Sequence, residues 1–69
     1  MRPDPLTARE RQIRGYLLMG WGNKEVATKL GISHRTVEDH RANLLKKYRA
    51  RNLIEVMREV YGIADEVVG

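Results

Sequence analysis

Apolar residues recur along this chain at spacings of three and four, never in a sustained alternation of two, and each group ends at a glycine or a polar turn signal. The pattern predicts an all-α domain of about four helices. Pro3 and Pro5 delay helix formation, and Thr7-Ala8-Arg9-Glu10 then has the T-x-x-E spacing of a capping box, with Leu6 in the staple position. A helix should therefore start near Ala8. Its inward face is expected to hold Ile13, Tyr16, Leu17 and Met19, with Gly15 weakening the middle and Gly20 and Gly22 breaking the run. Trp21, in the connection, reads as an amphipathic lid on the core before it reads as a ligand or base-stacking ring.

The stretch NKEVATKLGISHRTVEDHRANLLKKY, from Asn23 to Tyr48, reads as two short helices joined by a tight turn. This is the outline of a helix-turn-helix. Asn23 can cap the first helix, whose apolar face is Val26, Ala27 and Leu30, with Ala27 small where two helices approach. Gly31 follows that face, Ile32 can drop into the core, and Ser33 restarts the helix as an N-cap. Steps of ~100° per residue from Val37 bring Leu44 and Tyr48 to one side, flanked by His40 and Arg41. The opposite arc holds Arg35, Glu38, Asp39, Ala42, Lys46 and Arg49, polar and small side chains suited to base edges and phosphates.

Downstream, Arg51-Asn52 should close that helix and cap a fourth, with Leu53, Val56, Met57 and Val60 as its apolar face and Ile54 and Tyr61 beyond the edge. Apolar residues outside the stripe a helix needs for its own core are either singly exposed or set against a second copy; a homodimer surface is expected at Ile54, Met57 and Tyr61. Gly62 should end the helix. The segments 1–5 and 63–69 are expected to be flexible tails, the second with the option of a short extra turn.

With 69 residues the chain makes one small domain, read as spanning 1–69, and a large enzyme pocket does not fit its single core. It contains no Cys, which fits a reducing compartment, and His34 and His40 fall on different helix faces, so no metal or other cofactor is expected. No apolar run approaches the ~20 residues of a membrane span, and the N-terminus lacks the apolar segment of a secretion signal. A cytoplasmic protein follows, with no membrane partner and no small-molecule ligand in this domain. Charge is uneven: 1–52 carries twelve Lys/Arg against five Asp/Glu, or +7, and 53–69 one against four, or −3. A basic body favours a polyanion through counterion release, whereas the acidic, apolar C-terminal helix is free to meet protein. Charges that merely solvate helix faces explain this asymmetry less well.

These residues together resemble the LuxR/GerE-type helix-turn-helix family, over Leu6 to about Val60. The marks are LTARER at the first helix, the Gly20 break, NKEVA, LGIS in the turn, RTVEDHRANLLKK, and RN before the last helix; the wording looks most like the FixJ/NarL-like response-regulator branch. The resemblance implies a DNA-binding transcription regulator of four helices that docks the third in the major groove of double-stranded DNA and pairs through the fourth, with RNA polymerase as a further candidate partner. It puts phosphate contacts on Asn23, Lys24, Ser33, Arg35 and Thr36, with more distant ones on Lys46, Lys47 and Arg49, and base contacts on Glu38, Asp39 and Ala42. Glu38 could instead be a helix-surface i,i+4 neighbour of Ala42 with no role, or an i,i+3 ion-pair partner of Arg41. Arg14 stands where an apolar residue is usual, Gly15 and Trp21 are atypical, and Leu53-Ile54 replaces a commonly polar pair. The first two put the stability of the first helix in doubt, and the last strengthens the dimer expectation. Most relatives carry an N-terminal receiver or sensing domain, so the chain reads as either complete and GerE-like or cut from a larger regulator.

Two alternatives keep the fold: a protein-interaction module that acts as an anti-regulator, and a sigma-factor-like region. An enzyme is rejected, because no Ser/His/Asp set, phosphate loop or acid pair has usable spacing.

Overall fold

The computed structural model describes residues 6–62, so both expected tails, 1–5 and 63–69, lie outside the described residues. Thr7 opens α1 (Ala8–Leu18) through both halves of the capping box. Its Oγ1 accepts from the Glu10 N–H at 3.1 Å, and its own N–H donates to Glu10 Oε1 at 3.0 Å. Leu6 is buried in the core, but the position that would complete a staple holds Arg11, whose guanidinium donates to the Leu6 carbonyl at 3.0 Å.

The remaining helices are α2 (Asn23–Leu30), α3 (His34–Tyr48) and α4 (Leu53–Tyr61), the four-helix order the periodicity predicts. Their ends differ from the sequence reading in two places. Gly22, not Asn23, takes the cap position of α2, and its N–H donates to Glu25 Oε1 at 2.8 Å. A glycine brings no side chain to the cap, so the N3 glutamate alone closes this turn. At the far end of α3 the helix stops before Arg51: Arg49 adopts φ 54°, and the N–H groups of Arg49 and Ala50 donate to the carbonyls of Lys46 and Leu45 at 3.1 and 2.9 Å. This is the same two-bond closure that Gly31, at φ 68°, makes after α2. A side chain in the left-handed region costs about 1 kcal/mol, so the turn holds Arg49 against its own preference.

Ile13, Leu17, Val26, Ala27, Val37 and Leu44 form the core with Leu6, and Tyr16, Trp21, Leu30, Ile32, Tyr48 and Leu53 pack around it. Trp21 is the expected lid: it is half-buried, with its ring centroid 4.5 Å from that of Tyr16 at a 37° tilt. Met19 is not inward; the helix has closed by then, and the side chain is 66% exposed. Arg14 resolves part of the doubt over α1, because its Nη1 donates to Tyr48 Oη at 2.6 Å and so ties α1 to the last turn of α3. Gly15 remains a local weakness of about 0.5–1 kcal/mol relative to Ala. Val56 is fully buried where α4 meets α3 and α1, but Val60 is 37% exposed and leaves the expected apolar face.

Candidate nucleic-acid interface

The turn from Gly31 to Ser33 sets α3 against α2, and Ser33 fixes where α3 begins: its Oγ accepts from the Thr36 N–H at 3.0 Å and lies 2.7 Å from Thr36 Oγ1. With Val37 and Leu44 drawn into the core, the outward arc presents Arg35, Glu38, Asp39, Ala42 and Lys46, all exposed. The candidate base-reading residues Glu38, Asp39 and Ala42 are thus brought together on one open surface. Glu38 pairs neither with Ala42 nor with Arg41. Its Oε2 lies 3.5 Å from His34 Nε2, and Asp39 Oδ1 lies 3.8 Å from Arg35 Nε, so each carboxylate meets a basic residue one turn nearer the N-terminus. Pairs in this order add little to an isolated helix, since a base before an acid runs against the helix dipole.

The first turn of α3 differs from the others. α1, α2 and α4 each carry a glutamate at the third helical position, Glu10, Glu25 and Glu55, where a carboxylate complements free N–H groups and the positive end of the dipole. α3 has no acidic residue there and offers His34, Arg35 and Thr36 instead. Cations at a helix N-terminus are unfavourable for the helix alone and favourable for an external anion.

The candidate phosphate residues do not all remain together. Asn23 is half-buried and Lys24 exposed at the start of α2, and Asn23 borders the middle of α3, at Glu38, Arg41, Ala42 and Leu45, away from its Ser33–Thr36 start. Lys46 and Arg49 are exposed near the far end of α3, Arg49 off the helical stripe because it lies in the closing turn. Lys47 is engaged within the domain: its Nζ sits 2.7 Å from Oε1 of Glu10, a carboxylate only 5% exposed, so it joins α3 to α1 while its own side chain stays 36% exposed. Glu10 thereby accepts from both Lys47 and the Thr7 N–H, and these bonds, Lys47 first, lower its pKa against the opposing effect of burial. In the sequence only the local role of Glu10 in the capping box was visible.

On α4, Ile54 and Tyr61 are 58% and 65% exposed, with half-buried Met57 between them at helical spacing. Val60, also exposed, widens this apolar surface. Among the described residues no group of three or more His, Asp or Glu is placed to hold a metal ion, and no helix is long and apolar enough to cross a membrane.

A capped turn between two helices, the second with an open polar arc, defines a helix-turn-helix domain. The model of the bacterial regulatory proteins of the luxR family matches residues 4–60, and the chain belongs to that family. It is therefore a helix-turn-helix domain of the DNA-binding, transcription-regulating kind. The chain is 47% identical over 60 residues to the transcriptional regulatory protein UhpA of Escherichia coli, covering 87% of this chain and 31% of UhpA. It is 44% identical over 57 residues to the transcriptional regulatory protein FixJ of Rhizobium meliloti, covering 83% of this chain and 28% of FixJ. The chain thus spans about a third or less of the length of these relatives. No solved structure matches it.

Proposed function

We propose that this domain binds double-stranded DNA in the cytoplasm with α3 in the major groove, as a homodimer paired through α4, and thereby regulates transcription. The observation that carries the reading is the acid-free first turn of α3: a helix start that lacks its own anion accepts a backbone phosphate, and Lys24, exposed at the start of α2, adds a cation to the same set. Asn23, Ser33, Arg35 and Thr36 complete the near phosphate contacts, Lys46 and Arg49 the distant ones, and Glu38, Asp39 and Ala42 face the base edges. Replacement of Lys24 by Ala is expected to weaken binding to all duplexes similarly and to reduce the slope of log K against log salt by about one unit. Selection from a random duplex library, followed by salt titration of wild type and variant, tests this. A wild-type binding curve flat in salt sinks the reading, and a loss confined to one sequence removes Lys24 from the phosphate set.

Pairing through α4 rests on Ile54, Met57 and Tyr61. Ile54→Asp should leave the monomer folded by circular dichroism and shift sedimentation from dimer to monomer at micromolar concentration. A wild-type chain already monomeric at high concentration excludes this interface. The same exposed α4 surface, with the two carboxylates on α3, also supports a second reading: a protein-interaction module acting on another regulator or on RNA polymerase. A stable complex with such a partner and no duplex binding would favour it.

A further inference from the structure

Between the start of α2 and the middle of α3 lies a shallow cleft of about 250 Å³, lined by Asn23, Glu38, Arg41, Ala42 and Leu45. Arg41 differs from most cations of the domain. Lys47 and Arg14 bond across helices, and Arg35 and Arg51 each pair with a carboxylate one turn away. Arg41 is half-buried, its Nε is enclosed without a hydrogen-bond partner, and it makes no ion pair with Glu38 on the same cleft. Among the described residues no carboxylate pairs with Arg41, so its partly desolvated charge is uncompensated in the free protein, and an anion at the terminal N–H groups would offset that cost.

From this geometry we infer that Arg41 is a DNA phosphate contact. The inference rests on the DNA-binding reading above and adds a residue that the helical wheel puts on the core flank. Leu45 and Ala42 form apolar walls beside the arginine stem, so the stem is held and the terminal N–H groups are the part left to reach the cleft mouth. Asn23 lines the other side, so polar side chains of two helices border one opening. Ala42 and Glu38, on the outer rim, face the groove; Arg41 lies one residue around the helix from Ala42, toward α2, where the flanking strand rather than the base edges would pass. A planar guanidinium suits a phosphate there, and the contact sets how deeply α3 enters the groove.

Arg41→Met keeps the stem and removes the charge. In a salt titration against a mixed-sequence duplex of about two helical turns, the variant is expected to bind more weakly than wild type. Its slope should fall by about one unit, so that the deficit widens roughly three- to fourfold for each fourfold drop in salt. An unchanged slope in a folded variant overturns the inference, as does a loss limited to one base pair, which would make Arg41 a base reader. Should the variant not fold, the wild-type Arg41 guanidinium ¹⁵N resonances, followed during titration with the same duplex, decide the matter: movement of the terminal nitrogens supports the contact and their constancy excludes it. Wild type that fails to bind the duplex at low salt removes the DNA-binding reading itself, a result distinct from a bound wild type with an indifferent Arg41.

Discussion

Lys47→Met is expected to destabilise the domain by about 2 kcal/mol at neutral pH while leaving the salt slope of DNA binding unchanged. The first effect follows from what the variant leaves behind: Glu10 is covered by protein and, among the described residues, would keep only Thr7 as a partner. Removing one member of a buried ion pair costs about 3–5 kcal/mol, and the figure here is set lower because the Lys47 side chain is 36% exposed and water can reach the vacated place. Against roughly 3–10 kcal/mol for a domain of 69 residues this is a large share. The pair also fixes a pH dependence. The folded state lowers the Glu10 pKa below its ordinary value of 4.5, chiefly through Lys47, so the unfolded chain takes up the proton more readily. Stability from this group is therefore fully present above about pH 4.5 and is lost as pH falls through the lowered folded value. Urea melts at stepped pH should show this acid loss in wild type and a shallower one in Lys47→Met. An unchanged urea midpoint at neutral pH would refute the pair's structural role, and a slope reduced by a full unit would return Lys47 to the phosphate contacts.

Removing either carboxylate from the reading arc should make DNA binding stronger but less selective. A carboxylate near the duplex is repelled by phosphates and can accept from a cytosine N4, so its effect is discrimination at the expense of general affinity. With Ala at 38 or 39, affinity for mixed-sequence duplex should rise, and preference at one base pair should fall by about 1–3 kcal/mol, or roughly five- to 150-fold. The two positions should differ. Asp39→Ala also releases Arg35, which lies 3.8 Å away in wild type, so its salt slope should steepen by up to about one unit. Glu38→Ala releases His34 instead. Library selection with wild type and both variants reads preference and affinity together; two variants indistinguishable from wild type would show that the carboxylates only solvate the helix.

Much of the fold and the outline of the site could be read from local patterns. Thr7 and Glu10, Gly31 and Ser33, and Asn52 before α4 act within three or four residues of themselves, and each sits where its spacing predicts; Asn52 Oδ1 accepts the Glu55 N–H at 3.0 Å. Where the local reading slipped, the error was small. The cap of α2 moved by one residue to Gly22, because the glutamate at 25 can close the turn without a capping side chain. The end of α3 moved to Arg49, because a closing bond pattern overrode the preference of that side chain for negative φ.

The sequence by itself therefore determined the four helices, the turn between α2 and α3, and the placing of Glu38, Asp39 and Ala42 on the arc opposite Val37 and Leu44. Those properties depend on the angle each residue takes about its own helix axis, which spacing alone sets. The tertiary structure decided which cations are left for a partner. Lys46 and Lys47 are neighbours in the chain and both exposed, yet Lys47 reaches a carboxylate 37 positions away. Arg14 likewise finds Tyr48, and the Nε of half-buried Arg41 is enclosed with no partner among the described residues. Periodicity gives the direction of a side chain but not its distance from the next helix, and an ion pair depends on that distance.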